Sequence, residues 1–226
     1  MKRAACVVSG VVLVTTLTNA LTAACGDQDP PDPAGSVVAI RASGCRLLPN
    51  RAVGLVVADG LVATVAHAVA GEEEITVSTP DGRTLPGAVA AIDTALDAAI
   101  LRVDGLDLPA LRRRPYSASE PVALVTADED TVSSQPVGVR RAVTIRTSDI
   151  YREGEHLRPG FELEAPVAAG DSGGGLVAQD GSLLAVVWAT SREREGRAWA
   201  LAVEAYGPLV DAARAGDPPA RVDCAR

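Results

Sequence analysis

The 226-residue sequence predicts an all-β protein of two antiparallel barrels followed by a C-terminal helix. Three observations lead there. Short runs rich in Val, Leu, Ile and Ala recur along the chain, punctuated by turn dipeptides such as Asp59-Gly60 and Asp81-Gly82. No sustained helical period appears before Glu204. The runs fall into two groups of about six, on either side of Asp104 to Tyr116, a stretch with Pro109, Pro115 and Arg112 to Arg114 that breaks strand patterning.

In order, the first group comprises Ser36 to Ala42, Val53 to Ala58 and Leu61 to Val65, then Glu74 to Thr79, Arg83 to Ile92 and Ala98 to Val103. Asp59-Gly60 and Pro80-Asp81-Gly82 are hairpin turns by composition. Ala66 to Ala70 reads as one helical turn stopped by Gly71. The second group comprises Pro121 to Thr126, Gln135 to Thr147 and Phe161 to Ala165, then Gly175 to Ala178, Leu183 to Ala189 and Ala198 to Val203. Glu204 to Ala215 has helical spacing and stops at Gly216. Barrel one is expected over about 36–108, barrel two over about 117–203 and the helix over about 204–215. The arginines of the connecting stretch are expected to be solvated.

Apolar residues make up 47% of the chain and aromatics 3%, so the core must be aliphatic. The net charge of −8 weighs against nucleic-acid binding, which needs a basic surface. Lys2 and Arg3 precede the apolar run Ala4 to Leu17, the pattern of a signal peptide over 1–24. Leu21-Thr22-Ala23-Ala24-Cys25 looks like a bacterial lipobox, which makes Cys25 the expected lipidation site. An ordinary cleavage site would instead release a secreted protein, and an uncleaved segment would anchor it. Residues 25–35, rich in Pro, Asp and Gly, form a tether, and the folded part is expected from Ser36. Cys6 leaves with the signal peptide, so Cys45 and Cys224 remain to pair in an oxidising compartment or to stay free.

The chemistry centres on Gly170-Asp171-Ser172-Gly173-Gly174, set between apolar runs. If Ser172 is a nucleophile, the Gly170 and Ser172 N–H groups can face one oxygen as an oxyanion hole. An incidental serine in a glycine-rich turn is the plain alternative. Two histidines are available as its base. His67 follows a strand end and opens a helical turn, which would hold it rigidly. His156 lies in Tyr151 to Gly160, a stretch with the composition of a polar surface loop. Asp97, at the start of an apolar strand, is the candidate to orient the base. Asp93 is its rival, at a turn.

Ala66-His67, Asp97-Ala98-Ala99-Ile100-Leu101 and Gly170 to Gly174 together resemble the chymotrypsin/trypsin-like serine proteases, in that family's order. The resemblance spans roughly Ser36 to Val210. It implies two six-stranded antiparallel barrels with a site in the cleft between them. It also implies a His67–Asp97–Ser172 triad, an oxyanion hole from Gly170 and Ser172, and a polypeptide substrate. The primary pocket would involve Pro166, Trp188, Ala189 and Thr190. With Pro166 where an acid would select Arg or Lys, small or medium apolar residues are expected before the scissile bond. Exported bacterial relatives, including actinobacterial periplasmic serine proteases, bracket the domain with two cysteines, and Cys45 and Cys224 look similar. No PDZ domain is expected after Cys224.

The expected enzyme is a monomer without metal or cofactor. It would be exported and either held at the outer face of the cell membrane through Cys25 or secreted. A catalytically silent binding module on the same fold would not need Ser172 and His67 together. An esterase of the α/β-hydrolase type would place its serine before its acid and histidine.

Overall fold

The computed structural model describes residues 32–128, 131–216, 219 and 222–225. The signal-peptide stretch, Cys25 and the first part of the tether lie outside these residues. The described chain opens with a 3-10 turn, Pro33–Ser36, whose first amides are capped by Asp32: its Oδ1 accepts from Ala34 N–H at 3.0 Å.

Seven strands make the first sheet: β1 (Val37–Ser43), β2 (Asn50–Ala58), β3 (Leu61–Thr64), β4 (Glu74–Ser78), β5 (Thr84–Pro86), β6 (Ala88–Asp93) and β7 (Ala98–Arg102). Their order is β5-β4-β1-β2-β3-β7-β6, with every pair antiparallel. The sequence suggests one strand over Arg83 to Ile92, but the structure has two. Gly87 turns the corner between them, and its N–H bonds Ile75 O at 2.9 Å. The two edge strands are therefore joined end to end, which is how a six-segment pattern curls into a barrel-like sheet.

The second unit is a closed barrel, β10-β13-β12-β11-β8-β9. It is built from β8 (Val122–Asp128), β9 (Thr131–Thr147), β10 (His156–Glu164), β11 (Gly175–Ala178), β12 (Leu183–Thr190) and β13 (Arg197–Ala202). Strand β10 begins at His156, five residues before the apolar run that marked it in the sequence. Arg158 and Gly160 are buried while Leu157 and Pro159 are exposed, so the stretch that looked like a loop is an alternating strand. A 3-10 turn, Val203–Tyr206, leads into helix α2 (Gly207–Ala215), which is capped by Gly216 in the left-handed region at φ +78°.

Alternation explains why so many strands read as unbroken apolar runs. In β2 and β3, Val56 and Val62 point into barrel one beside Val38, Ile40 and Leu101. Leu55 and Leu61 point the other way, into a layer shared with Val125, Val186, Leu201 and Tyr206 of the second unit. Leu124, Leu163, Leu176, Leu184 and Val187 fill barrel two. Strands buried on both faces need apolar side chains at every position. The connection between the units is less solvated than its arginines suggest. Leu111 N–H bonds Val56 O at 2.8 Å and Leu183 N–H bonds Arg112 O at 2.8 Å. Arg114 lies between Glu120 and Asp180, at 2.7 and 3.2 Å. A Cys45–Cys224 disulfide ties the β1–β2 loop to the C-terminal tail.

Candidate active site

Strand β3 ends at Thr64, whose two polar groups fix the chain direction. Its Oγ1 donates to Val53 O at 2.8 Å, and its carbonyl accepts from the Tyr206 hydroxyl at 3.0 Å. Tyr206 is fully buried, and burial together with nearby Asp97 holds its hydroxyl well above the ordinary value, so it stays a donor. Val65 remains extended, and Ala66–Val69 then form the single turn α1. This sharp change from strand to helix puts the His67 ring at the edge of the barrel, 36% exposed.

Asp97 meets His67 with both carboxylate oxygens. Oδ1 accepts the His67 backbone N–H at 2.8 Å, and Oδ2 lies 2.8 Å from Nδ1. Asp97 is 4% exposed and has φ +61°, the left-handed region. For an L-residue that conformation costs roughly 1–2 kcal/mol. It is over-determined here by the two bonds to His67, and strain of this kind clusters at functional sites. Asp93 does different work: its Oδ1 accepts Leu96 N–H at 2.9 Å and caps the turn that leads to Asp97.

Ser172 belongs to a loop sewn to both units. Its carbonyl accepts Val53 N–H from barrel one at 2.7 Å. Gly173 N–H donates to Val187 O of β12 at 2.7 Å, and Val187 N–H returns to Gly174 O at 2.8 Å. Gly173 has φ +92°, and a Cβ there would sit 2.0 Å from Val53 O. Only glycine brings the loop this close to barrel one. Gly170 has φ +103°, and among the described residues neither its N–H nor that of Ser172 is spent on an acceptor. The Asp171 carboxylate is held by Ala168 N–H at 2.8 Å, which closes a tight turn beside Gly170. His67 and Asp97 are thus in direct contact. Ser172 is tied to Val53, the residue that Thr64 also holds, and no His67–Ser172 hydrogen bond is formed among the described residues. His156 sits at the start of β10, paired in register with Thr147, and takes no part in this cluster.

Of the expected pocket residues, Trp188 is the unpaired extra residue of a β-bulge, because Val187 faces Ala200 and Ala189 faces Trp199. Bulges re-aim side chains beside functional sites. Trp188 packs against both barrel one and the shared layer, with Trp199 6.5 Å away. Thr190 Oγ1 is bonded to Arg197 O at 3.1 Å. Ala165, next to Pro166, is buried and anchored by its N–H to Gly196 O at 2.9 Å. A cleft of about 490 Å³ lies between the units, lined by Ile40, Arg51, Thr126, Asp128, Ala169 and Gly170 among others.

Sequence reasoning missed Tyr206, Thr64 and Arg158. Tyr206 reads as an ordinary helix residue, and Thr64 as a strand end. Arg158 is 3% exposed although it sits in a stretch of loop-like composition.

Over residues 52–186 the sequence matches a family described as trypsin-like peptidase domain. It is 32% identical over 139 residues to the serine protease Rv3671c of Mycobacterium tuberculosis, covering 60% of this chain and 35% of that protein. It is 32% identical over 133 residues to a probable periplasmic DegP-like serine endoprotease of Halomonas elongata, covering 57% of this chain and 27% of that one. The chain spans about a third of the length of the first of these relatives, which is the 35% just given. Its fold is similar to the crystal structure of the active form of Rv3671c protease, with a TM-score of 0.79 at 27% identity over 86% of this chain and 87% of that one. For an inactive form of Rv3671c protease the TM-score is 0.67 over 81% and 90%.

Proposed function

The chain belongs to the trypsin-like peptidase domain family, and from that premise we propose that it is a serine endopeptidase with His67, Asp97 and Ser172 as its triad. The observation that carries this reading is the double contact of Asp97 with His67, at 2.8 Å to Nδ1 and 2.8 Å to the backbone N–H. A carboxylate that accepts Nδ1–H fixes the tautomer in which Nε2 is free to accept a proton. In the proposed reaction Ser172 Oγ attacks the peptide carbonyl and gives its proton to His67 Nε2. The Gly170 and Ser172 N–H groups receive the oxyanion, which in enzymes of this type is worth on the order of 3–4 kcal/mol per donor. His67 then returns the proton to the leaving amine, and water releases the acyl group from Ser172. The His67–Ser172 bond this needs forms as substrate closes the site, since such bonds often tighten only in the complex.

The cleft beside Gly170 would be the path of an extended polypeptide toward Ser172. The primary pocket, with Pro166 at its base and Trp188, Ala189 and Thr190 on its wall, would favour small or medium apolar side chains. The site would face the outside of the cell membrane, with Cys25 lipidated.

A fluorophosphonate probe at about pH 7–8 tests the mechanism, because it is attacked only by an activated serine. The full chain should label and degrade an unfolded protein, and Ser172→Ala should do neither. Absence of labelling in the native chain would overturn the reading. Cleavage of a peptide library mainly after Arg or Lys would overturn the pocket assignment. Cys25→Ser should leave the membrane fraction, and unchanged membrane association would exclude the lipid anchor.

A further inference from the structure

We propose that Arg158 is a positioning residue of the site, a buried cation that holds Asp97 from the far barrel and sets the acid limit of activity. The inference rests on the triad reading above.

Arg158 stands on β10, in barrel two, and its guanidinium reaches the turn of barrel one that carries Asp97 as well as the β9–β10 connection of its own barrel. Nε donates to Ala95 O at 2.8 Å, and Nη2 to Ser148 O at 3.1 Å. Nη1 lies 3.6 Å from Asp97 Oδ2, the same oxygen that faces His67 Nδ1. The guanidinium stacks on the Trp188 ring, 4.4 Å from its centroid. Arg158 and Asp97 are 3% and 4% exposed. A buried guanidinium is costly unless paired and bonded, and this one has two carbonyls, a carboxylate and an indole ring against it. Burial pulls it below the usual arginine value, while Asp97, Asp93, Asp149 and the Tyr206 hydroxyl favour the charged form. Arginine keeps its proton in proteins.

The other charged groups around α1 are committed elsewhere. Arg51 of β2 faces Asp128 at 3.6 Å, Arg102 of β7 bonds Ala213 O, Asp93 of β6 caps its turn, and Glu72 accepts from Asn50 and Cys45 N–H. Asp97 and Arg158 are therefore the pair that sets the field at His67. The two contacts of 2.8 and 3.6 Å share Oδ2, so the guanidinium is no farther than about 6.4 Å from the imidazole. Its charge opposes the proton that His67 would take from solvent. The Ala95 bond and the Asp97 ion pair also fix the turn that carries Asp97, while the Ser148 bond ties Arg158 to the β9–β10 connection.

The test is the pH profile of fluorophosphonate labelling by the full chain. Removing the charge in Arg158→Met or Arg158→Gln should raise the acid-side midpoint by about one unit, the size expected for a charge at this distance in a partly screened site. Arg158→Lys should slow labelling but leave the midpoint in place. A merely structural role would slow all three variants without moving the midpoint. Native-like midpoints in the Met and Gln variants, or loss of folding in both, would overturn the proposal. If the native chain does not label at all, the triad reading fails instead.

Discussion

Replacing Asp97 with Asn separates the orienting role from the fold. Asn tolerates φ +61° about as well as Asp, so the backbone can keep its shape. An amide offers one acceptor oxygen where the carboxylate offers two. If that oxygen keeps the His67 backbone N–H, the amide NH₂ faces Nδ1, and the ring must turn to the tautomer with its proton on Nε2. That tautomer has nothing with which to accept the Ser172 proton. If the amide flips, NH₂ opposes the backbone N–H, and two donors meet in a buried site. Either way a charge-assisted bond worth roughly 1.5–3 kcal/mol is lost, and Arg158 loses the carboxylate 3.6 Å from Nη1 while keeping Ala95 O and Ser148 O. The expected outcome is a loss of about 2–4 kcal/mol in urea unfolding and a fall of about 10⁴ in the labelling rate. Urea melts and labelling at equal protein concentration measure both. Labelling by Asp97→Asn within tenfold of the native chain would refute the orienting role.

Gly173→Ala places a methyl 2.0 Å from Val53 O and 2.9 Å from Thr64 Oγ1 at φ +92°; strain and overpacking together should cost about 3 kcal/mol or more and weaken labelling as the loop leaves barrel one. Cys45→Ser opens the 179-residue closure to Cys224 and should lower stability by about 2–5 kcal/mol, read as a lower urea midpoint that added reductant does not lower further. Asp180 pairs with Arg114 across the connection. Burial works against its charge, but the bonds from Arg114 and Ser182 prevail and pull its carboxyl down to about 2 from an ordinary 3.8. A depressed folded value means this contribution is whole above about pH 4 and fades as pH falls through about 2. Asp180→Asn should therefore lower the urea midpoint at pH 6 and converge on the native value near pH 2. Equal differences at both pH values would show that the charge is not the cause.

Much of this was legible because the strands are short, apolar and cleanly punctuated. Gly175–Ala178 and the start of β12 at Leu183 coincide with their sequence runs, since Gln179 to Ser182 leaves no choice of turn. Asp59-Gly60 and the Ala66 turn were equally plain. The errors fall where tertiary contact overrides composition. Arg83 to Ile92 reads as one strand because no local property of Gly87 marks it as a barrel corner; its bond to Ile75 O does. The β10 extension from His156 was hidden by alternate polar residues, and Arg158 among them is buried because it finds two carbonyls and a carboxylate. His67, Asp97 and Ser172 could be nominated because each sits at a strand end with a distinctive neighbour. Their supports could not, because Tyr206 and Arg158 act over distances in sequence that no spacing rule connects.

The supports explain how a site divided between two units can hold its geometry. His67 and Asp97 come from barrel one and Ser172 from a loop of barrel two. The layer between the units is aliphatic, with Leu55, Leu61, Val186 and Leu201 packed face to face, and aliphatic packing resists separation far better than it resists small slides. Directional bonds supply the missing register, and three of them cross this layer close to the site. Val53 N–H meets Ser172 O at 2.7 Å, the Tyr206 hydroxyl meets Thr64 O at 3.0 Å, and Arg158 Nε meets Ala95 O at 2.8 Å. One fixes the Ser172 loop, one the strand that leads to His67, and one the turn that carries Asp97. Each candidate catalytic residue thus has its own tie to the opposite unit, at a residue no more than three positions away in sequence. Loss of one tie should shift one residue relative to the other two. Tyr206→Phe should accordingly reduce labelling more than it lowers the urea midpoint, because it frees the strand leading to His67 while leaving the aliphatic layer intact. A variant whose labelling falls only in proportion to its stability would show that packing alone sets the register.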